Sequence, residues 1–260
     1  MDHIMRVAVR AAYRSADVLR SRWKRLNSIA KKGPNDLVTD ADLSAEEAII
    51  ATLRDFCPEH GIVAEESGTH AGSSGERWLV DPLDGTVNYA HQIPFFAVSI
   101  AFARGEDVLA GVVLNPVSGE LFSAQAGGGA FLNGAPIAVN PEPRVAESLL
   151  ATGFPYERSD GFEPVAARLL RCLRASRGVR RFGSAALDLC FVACGRFAGF
   201  WEDQLKPWDT AAGALIVREA GGTTTDFSNR PVGADGREIL ATNGHIHDEM
   251  LALMGGERQA

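Results

Sequence analysis

Ile4, Ala8, Ala11, Ala12, Ser15 and Leu19 return at a helical period at the start of the chain, which predicts a first amphipathic helix running to about Trp23. Lys31-Lys32-Gly33-Pro34-Asn35-Asp36 breaks it. Thr39, with Asp42 three positions on, reads as a capping box. A second helix opens there, with Leu43, Ile50 and Leu53 expected on its buried face and Pro58 as its stop. The period then shortens. Apolar runs at 61–64, 78–80, 95–102, 108–114, 121–124 and 137–139, separated by Gly, Pro and Asn, predict an antiparallel meander. From Ser148 strands alternate with helices: 149–151 before a helix near 162–175, then 179–182 before one near 185–194. A third strand at 199–201 precedes a helix near 208–220 that Gly221-Gly222 ends. The change of texture at Pro141-Glu142-Pro143 divides a single unit, 1–260, into an α+β half (about 1–140) and an α/β half (about 141–260).

Composition narrows the partners. At 260 residues and 46% hydrophobic the chain can bury a sizeable core. A net charge of −7 argues against a nucleic-acid surface. It leaves an anionic substrate open, because bound cations invert the local charge of a site. Arg6, Arg10, Arg14 and Asp17 interrupt the apolar residues of the first helix, so neither a signal peptide nor a membrane span is expected. Cys57, Cys172, Cys190 and Cys194 form no CxxC pair. They read as buried reduced thiols, which fits a cytoplasmic setting.

The chemistry concentrates in Trp78-Leu79-Val80-Asp81-Pro82-Leu83-Asp84-Gly85-Thr86. A strand is expected to end at Asp81 and Pro82 to stiffen its exit. Asp84 is then turned back toward the same space. Two carboxylates three residues apart across a proline turn can converge on divalent cations, and the N–H groups that follow suit phosphate oxygens. Taken alone the motif reads first as an Asp-capped turn with a permissive glycine. Three further acids change the picture. Glu65-Glu66 ends another strand, and adjacent carboxylates repel unless solvated or bridged by a cation. Asp209 opens the helix after Lys206-Pro207-Trp208, where an acid also complements the helix dipole.

Together, Glu65-Glu66-Ser67, the stretch from Asp81 to Thr86, and Trp208-Asp209 with Glu219-Ala220-Gly221-Gly222 resemble the diagnostic motifs of the inositol monophosphatase family. The similarity extends over nearly the whole chain, including Gly33 to Thr39 and Gly183-Ser184-Ala185. The resemblance implies an α/β fold, an α+β layered sandwich of alternating helix and sheet, assembled as a homodimer. It implies Mg2+-dependent hydrolysis of a small phosphorylated polyol or sugar, inositol 1-phosphate foremost, by water that the cations activate, with sensitivity to Li+. By matching position, Glu65, Asp81 and the Leu83 carbonyl would hold one Mg2+, and Asp81, Asp84 and Asp209 a second. A weaker third ion would sit by Glu65, and Mn2+ could substitute. All-oxygen donors suit these ions better than zinc.

In the same resemblance Thr86 orients the water with Asp42 behind it, and Glu65 helps take its proton. Asp84, Asp209 and the Gly85 and Thr86 amides hold phosphate. Gly183, Ser184, Ala185 and Glu202 border the alcohol. Lys31 matches the family's lysine near the weaker ion. Several of these residues have plainer readings: Asp42 and Thr86 as caps, Glu202 as a solvated acid beside Asp203, Lys31 as a loop lysine. Arg180 and Arg181 approach either the substrate or a dimer partner, or are solvated. His245 and His247 fall outside the motifs and are expected at the surface. Histidinol phosphate and fructose 1,6-bisphosphate remain alternative esters for the same site, and a non-catalytic regulatory protein is the alternative of another class.

Overall fold

The structure, a computed structural model, describes residues 1–24, 29–31, 37–155, 162–234 and 236–255. The expected helical stripe forms α1 (Asp2–Arg22), which buries Val7, Ala8, Ala11, Ala12, Ser15, Ala16 and Leu19. Strands β1 (Ile29–Lys31) and β2 (Leu37–Thr39) pair antiparallel. The Lys31 side chain and residues 32–36, which carry part of the family resemblance, lie outside what is described. The capping box is present at the start of α2 (Asp40–Phe56), where the Thr39 N–H donates to Asp42 Oδ2 at 2.8 Å. The buried face of α2 is Ala41, Asp42, Ala45, Glu46, Ile49, Thr52 and Leu53. Leu43 is 51% exposed, contrary to expectation, because two acids, Asp42 and Glu46, occupy the inner stripe.

The first half builds one eight-stranded sheet from β3 (Gly61–Ala64), β4 (Gly68–His70), β5 (Glu76–Asp84), β6 (Ala97–Arg104), β7 (Asp107–Leu114), β8 (Leu121–Gln125), β9 (Ala130–Leu132) and β10 (Ala135–Pro136). The short helix α3 (Thr86–Ala90) lies between β5 and β6. The order is β10-β9-β8-β7-β6-β5-β3-β4. The meander holds from β5 to β10, but β3 and β5 run parallel, and β4 lines the far edge of β3. Residues 137–139 form no strand; Val139 instead bonds the Ala220 carbonyl.

The second half contains β11 (Leu149–Thr152), α4 (Glu163–Ala175), β12 (Gly178–Arg180), α5 (Ala185–Ala193), β13 (Gly199–Glu202), α6 (Pro207–Glu219), β14 (Thr223–Thr225), β15 (Ile239–Thr242) and α7 (His247–Met254). Its five-stranded sheet has the order β12-β11-β13-β15-β14, parallel on either side of β11 and antiparallel beyond β13.

Strand alternation explains the layers. Trp78 and Val80 face a core shared with α1 and α2, whereas Leu79 faces one shared with α5 and α6. Phe200, Ile239 and Ala241 close that second core from the five-stranded sheet. Leu150, Trp201 and Leu240 point the other way, toward Cys172 of α4 and Met250 and Met254 of α7. The sequence of layers is helix, sheet, helix, sheet, helix. Because α5 and α6 lie between two sheets they are apolar nearly all round. They also pack closely: a Cβ on Gly213 would stand 2.7 Å from Leu189, and one on Gly111 would stand 2.9 Å from the Ala212 backbone.

Phe96 is fully buried against Trp23 and Tyr89, a core residue. All four cysteines are free thiols, Cys194 half-buried and the others buried. His247 is not at the surface: it is 6% exposed, held between the Thr225 and Thr242 hydroxyls at 3.0 and 2.9 Å. Burial lowers its pKa. Among the described residues no helix is long and apolar enough to cross a membrane.

Candidate active site

Parallel pairing of β3 with β5 sets Ala64 opposite Val80, and the Glu65 N–H continues the ladder to the Val80 carbonyl at 3.1 Å. The next residues, Glu65 and Asp81, therefore emerge side by side. An antiparallel pair would have carried them to opposite ends of the sheet. β5 does not stop at Asp81 as expected. It continues to Asp84, which pairs with Ala97, with a register shift between the two acids. Pro82 is tolerated at this irregularity, and the Leu83 N–H turns in to Asp81 Oδ1 at 2.9 Å. Gly85 then takes φ +98°, and a Cβ there would stand 3.1 Å from the Gly183 and Phe95 carbonyl oxygens. Only glycine fits. Thr86 starts α3.

Asp209 is the third residue of α6 and accepts the Lys206 N–H at 2.7 Å. The Ser99 hydroxyl of β6 donates to the Trp208 carbonyl at 3.1 Å, which ties the start of α6 to the strand beside β5. From the other side, the N-terminus of α5 grips Asp84: the Ser184 hydroxyl and the Ala186 N–H donate to its Oδ2 at 2.6 and 2.7 Å. Behind these residues Asp42, 1% exposed, accepts from the Thr39 hydroxyl at 2.5 Å on Oδ2 and from the Thr86 hydroxyl at 3.0 Å on Oδ1. Capping and Thr86 contact coexist in this one carboxylate.

The resulting cleft, about 250 Å³, is lined by Glu65, Asp81, Leu83, Asp84, Gly85, Thr86, Gly183, Ser184, Ala185, Glu202 and Asp209. Every residue assigned to the site from sequence is thus on its wall except Asp42, which stands behind Thr86. Arg181 also lines it, its guanidinium 5.7 Å from the Phe154 ring, whereas Arg180 is exposed on β12.

Sequence reading missed three participants. Asp188 is buried in the wall; its signal is a lone acid in the apolar run Ala185-Ala186-Leu187-Asp188-Leu189. Gly153, at the end of β11, leaves the space that the Glu202 carboxylate fills, since a Cβ would fall 2.0 Å from Glu202 Oε2. Glu46, 3% exposed, accepts the Glu66 and Ser67 N–H groups at 2.8 Å each and so fixes the turn that carries Glu65.

Seven carboxyl side chains line the cleft against two cationic ones, Arg181 and Lys206. Burial first, then the charges of Glu65, Asp84 and Asp209, hold the Asp81 carboxyl well above its ordinary range. Burial and Asp84 do the same to Asp209. Asp84 is raised by burial and drawn back by Ser184, the α5 amides and Arg181. Glu202 is pushed by burial to about 8, against the pull of Arg181. Among the described residues no three such side chains close around one point as a finished metal site would. The donor chemistry nevertheless fits hard divalent cations: oxygen ligands only, mutually repelling, with room between them.

The inositol monophosphatase family model matches residues 1–257. The chain belongs to the inositol monophosphatase family. It is 42% identical over 257 residues to the inositol-1-monophosphatase of Synechocystis sp., covering 98% of this chain and 90% of that one. It is 40% identical over 260 residues to the Nus factor SuhB of Salmonella typhimurium, covering 99% and 97%. The crystal structure of the extragenic suppressor protein SuhB from Bartonella henselae superposes with a TM-score of 0.92 at 40% identity, over 99% of both chains. The layered α/β sandwich is that of the family, and the protein is a phosphatase of this type.

Proposed function

We propose that this phosphatase hydrolyses a small phosphorylated polyol, inositol 1-phosphate foremost, with Mg2+ held by Glu65, Asp81, the Leu83 carbonyl, Asp84 and Asp209, and Mn2+ as a substitute. The observation that carries the reading is the charge of the cleft: seven acids against two cations would repel a phosphate dianion unless divalent ions joined it. When bound, such ions polarise phosphoryl oxygens and lower the pKa of water toward neutrality.

The chain's own residues supply position and proton handling. The Thr86 hydroxyl on the cleft wall donates to Asp42 or to the Leu83 carbonyl (3.0 and 3.1 Å), which leaves its oxygen to accept from a water and aim it at phosphorus. Glu65, set beside Asp81 by the strand register, takes the proton that the water gives up. The Gly85 and Thr86 amides lie at the start of α3 and receive phosphate oxygens as the P–O bond to the alcohol breaks. Gly183, Ser184, Ala185 and Glu202 face the departing alcohol. The substrate follows the name of the Synechocystis relative. The Nus factor name carried by a relative of similar identity belongs to that protein; here all four acids of the hydrolytic site are retained, which favours catalysis over a purely regulatory role. Homodimer assembly and cytoplasmic residence are part of the same proposal, the latter in keeping with four free thiols.

Phosphate release with Mg2+ from inositol 1-phosphate, fructose 1,6-bisphosphate, histidinol phosphate and adenosine 3′,5′-bisphosphate tests the reading. Inositol 1-phosphate should show the highest kcat/KM; a higher value for any of the others replaces it as substrate, and no release from any overturns the mechanism.

A further inference from the structure

The cleft wall beyond Asp84 holds an acid that the chemistry at phosphorus does not use. Asp188 lies in the first turn of α5, four residues after Ser184, whose hydroxyl already accepts from the Leu187 N–H to cap that helix. Capping therefore does not explain Asp188. Its neighbours along the helix, Leu187, Leu189 and Cys190, are fully buried and apolar. Asp188 itself is 1% exposed and lines the cleft, and its Oδ1 has no hydrogen-bond partner. Native interiors rarely leave such an atom without a donor, and one left so in a ligand cleft is satisfied by what enters the cleft.

The surroundings define that ligand. Glu202 and Asp84 are the negative charges that Asp188 feels, with Arg181 opposing them. Burial, then Glu202 and Asp84, push its carboxyl well above the ordinary range, and a carboxyl that keeps its proton can both donate and accept, as a hydroxyl does. A second phosphate dianion would add charge where that of Asp84 is already felt. A neutral hydroxyl would meet two partners.

We propose that Asp188 is a specificity-determining residue that, with Glu202, hydrogen-bonds hydroxyl groups of the substrate's alcohol and so selects neutral polyol monophosphates. The proposal rests on the phosphatase reading above. It places Asp188 away from phosphorus, so its contribution is to binding and should appear in KM more than in kcat.

The test compares wild type, Asp188→Ala and Asp188→Asn on inositol 1-phosphate and on phenyl phosphate, which has no alcohol hydroxyls, with Mg2+ present and with melting curves. Asp188→Ala should lower kcat/KM for inositol 1-phosphate about tenfold, the size of one lost hydrogen bond to an acid. Phenyl phosphate should change by less than about twofold, since it makes no such bond. Asp188→Asn, which keeps an acceptor, should recover part of the loss. Neither variant should melt lower than wild type, because each removes an unsatisfied buried acid. Equal losses on both esters overturn the proposal, as does a lowered melting temperature, which would mark a structural role. Wild type that hydrolyses neither ester overturns the phosphatase reading and this one with it. An Asp188 failure is distinct: wild type prefers inositol 1-phosphate and the variants keep the same preference.

Discussion

Asp84 shows how a single side chain is held ready in this site. Two donors from the start of α5 reach its Oδ2, and Arg181 favours its charge, while burial opposes it. The carboxylate is thus fixed in place but strained electrostatically, the condition in which an added cation gains most. Asp84→Asn keeps the shape and the acceptor oxygen and removes the charge. Turnover should fall about a hundredfold or more, the scale seen when one transition-state contact is deleted. The melting temperature should hold or rise, since a repelling charge is gone. Near-normal Mg2+-dependent phosphate release from the folded variant would remove Asp84 from the metal site.

Helix α2 serves two segments of the site at once. Asp42 and Glu46 are one turn apart and share its buried face, at the i,i+4 spacing that stacks side chains. Asp42 holds Thr86 at the end of the Asp81 motif, and Glu46 clamps the amides that follow Glu65. The helix therefore fixes the Thr86 hydroxyl relative to Glu65, the two groups proposed above to orient the water and to take its proton. Glu46→Ala leaves two amides without their acceptor, and the expected cost is about 1–3 kcal/mol of stability. Glu65 would then wander, so activity should fall by a similar factor, about tenfold or more, on polyol and aryl esters alike. The Mg2+ concentration for half-maximal rate should rise. An unchanged Mg2+ requirement in a folded Glu46→Ala protein would make the clamp purely structural.

At the scale of the molecule, the concentration of acids between the layers links stability to pH and to cations. Glu202 is raised from an ordinary 4.5 to about 8, and Asp81, Asp188 and Asp209 are raised as well. Between those two values the folded state keeps protons that the unfolded chain has released. Stability from these groups is accordingly greatest at the acid side of the window and falls as pH rises through it. In chelator, the melting temperature should drop between about pH 5 and pH 8. Mg2+ bound only by the folded state should offset the drop by about 2.7 kcal/mol at a hundred times its Kd, several degrees for a chain of this size. Scanning calorimetry with EDTA and with Mg2+ at both pH values decides it: a melting temperature at pH 8 that ignores Mg2+ would count against the cation site.

The sequence by itself determined the elements that depend on near neighbours. The stripe Ala8–Ala12–Leu19 made α1, the Thr39–Asp42 box opened α2, and the glycines after Ala220 closed α6. Four acids of the cleft were also singled out, Asp81 and Asp84 three residues apart and Glu65 and Asp209 at element ends, and it was the resemblance of their motifs to the family that assigned them to one site. Those patterns arise within a turn or a strand length, where backbone geometry alone fixes which side chains share a face. Tertiary structure decided the rest. Leu43 lost the inner face of α2 because Asp42, bonded to Thr39 and to Thr86 of α3, and Glu46, bonded to the amides of Glu66 and Ser67, occupy it. His247 left the surface because two threonines from β14 and β15 enclosed it. The parallel register that sets Glu65 beside Asp81, the space over Gly153 that admits Glu202, and the unpartnered Asp188 depend on segments that meet only when the sheets close on α5 and α6. Contacts between such distant positions are chosen by the burial of whole faces, which no local period in the chain records.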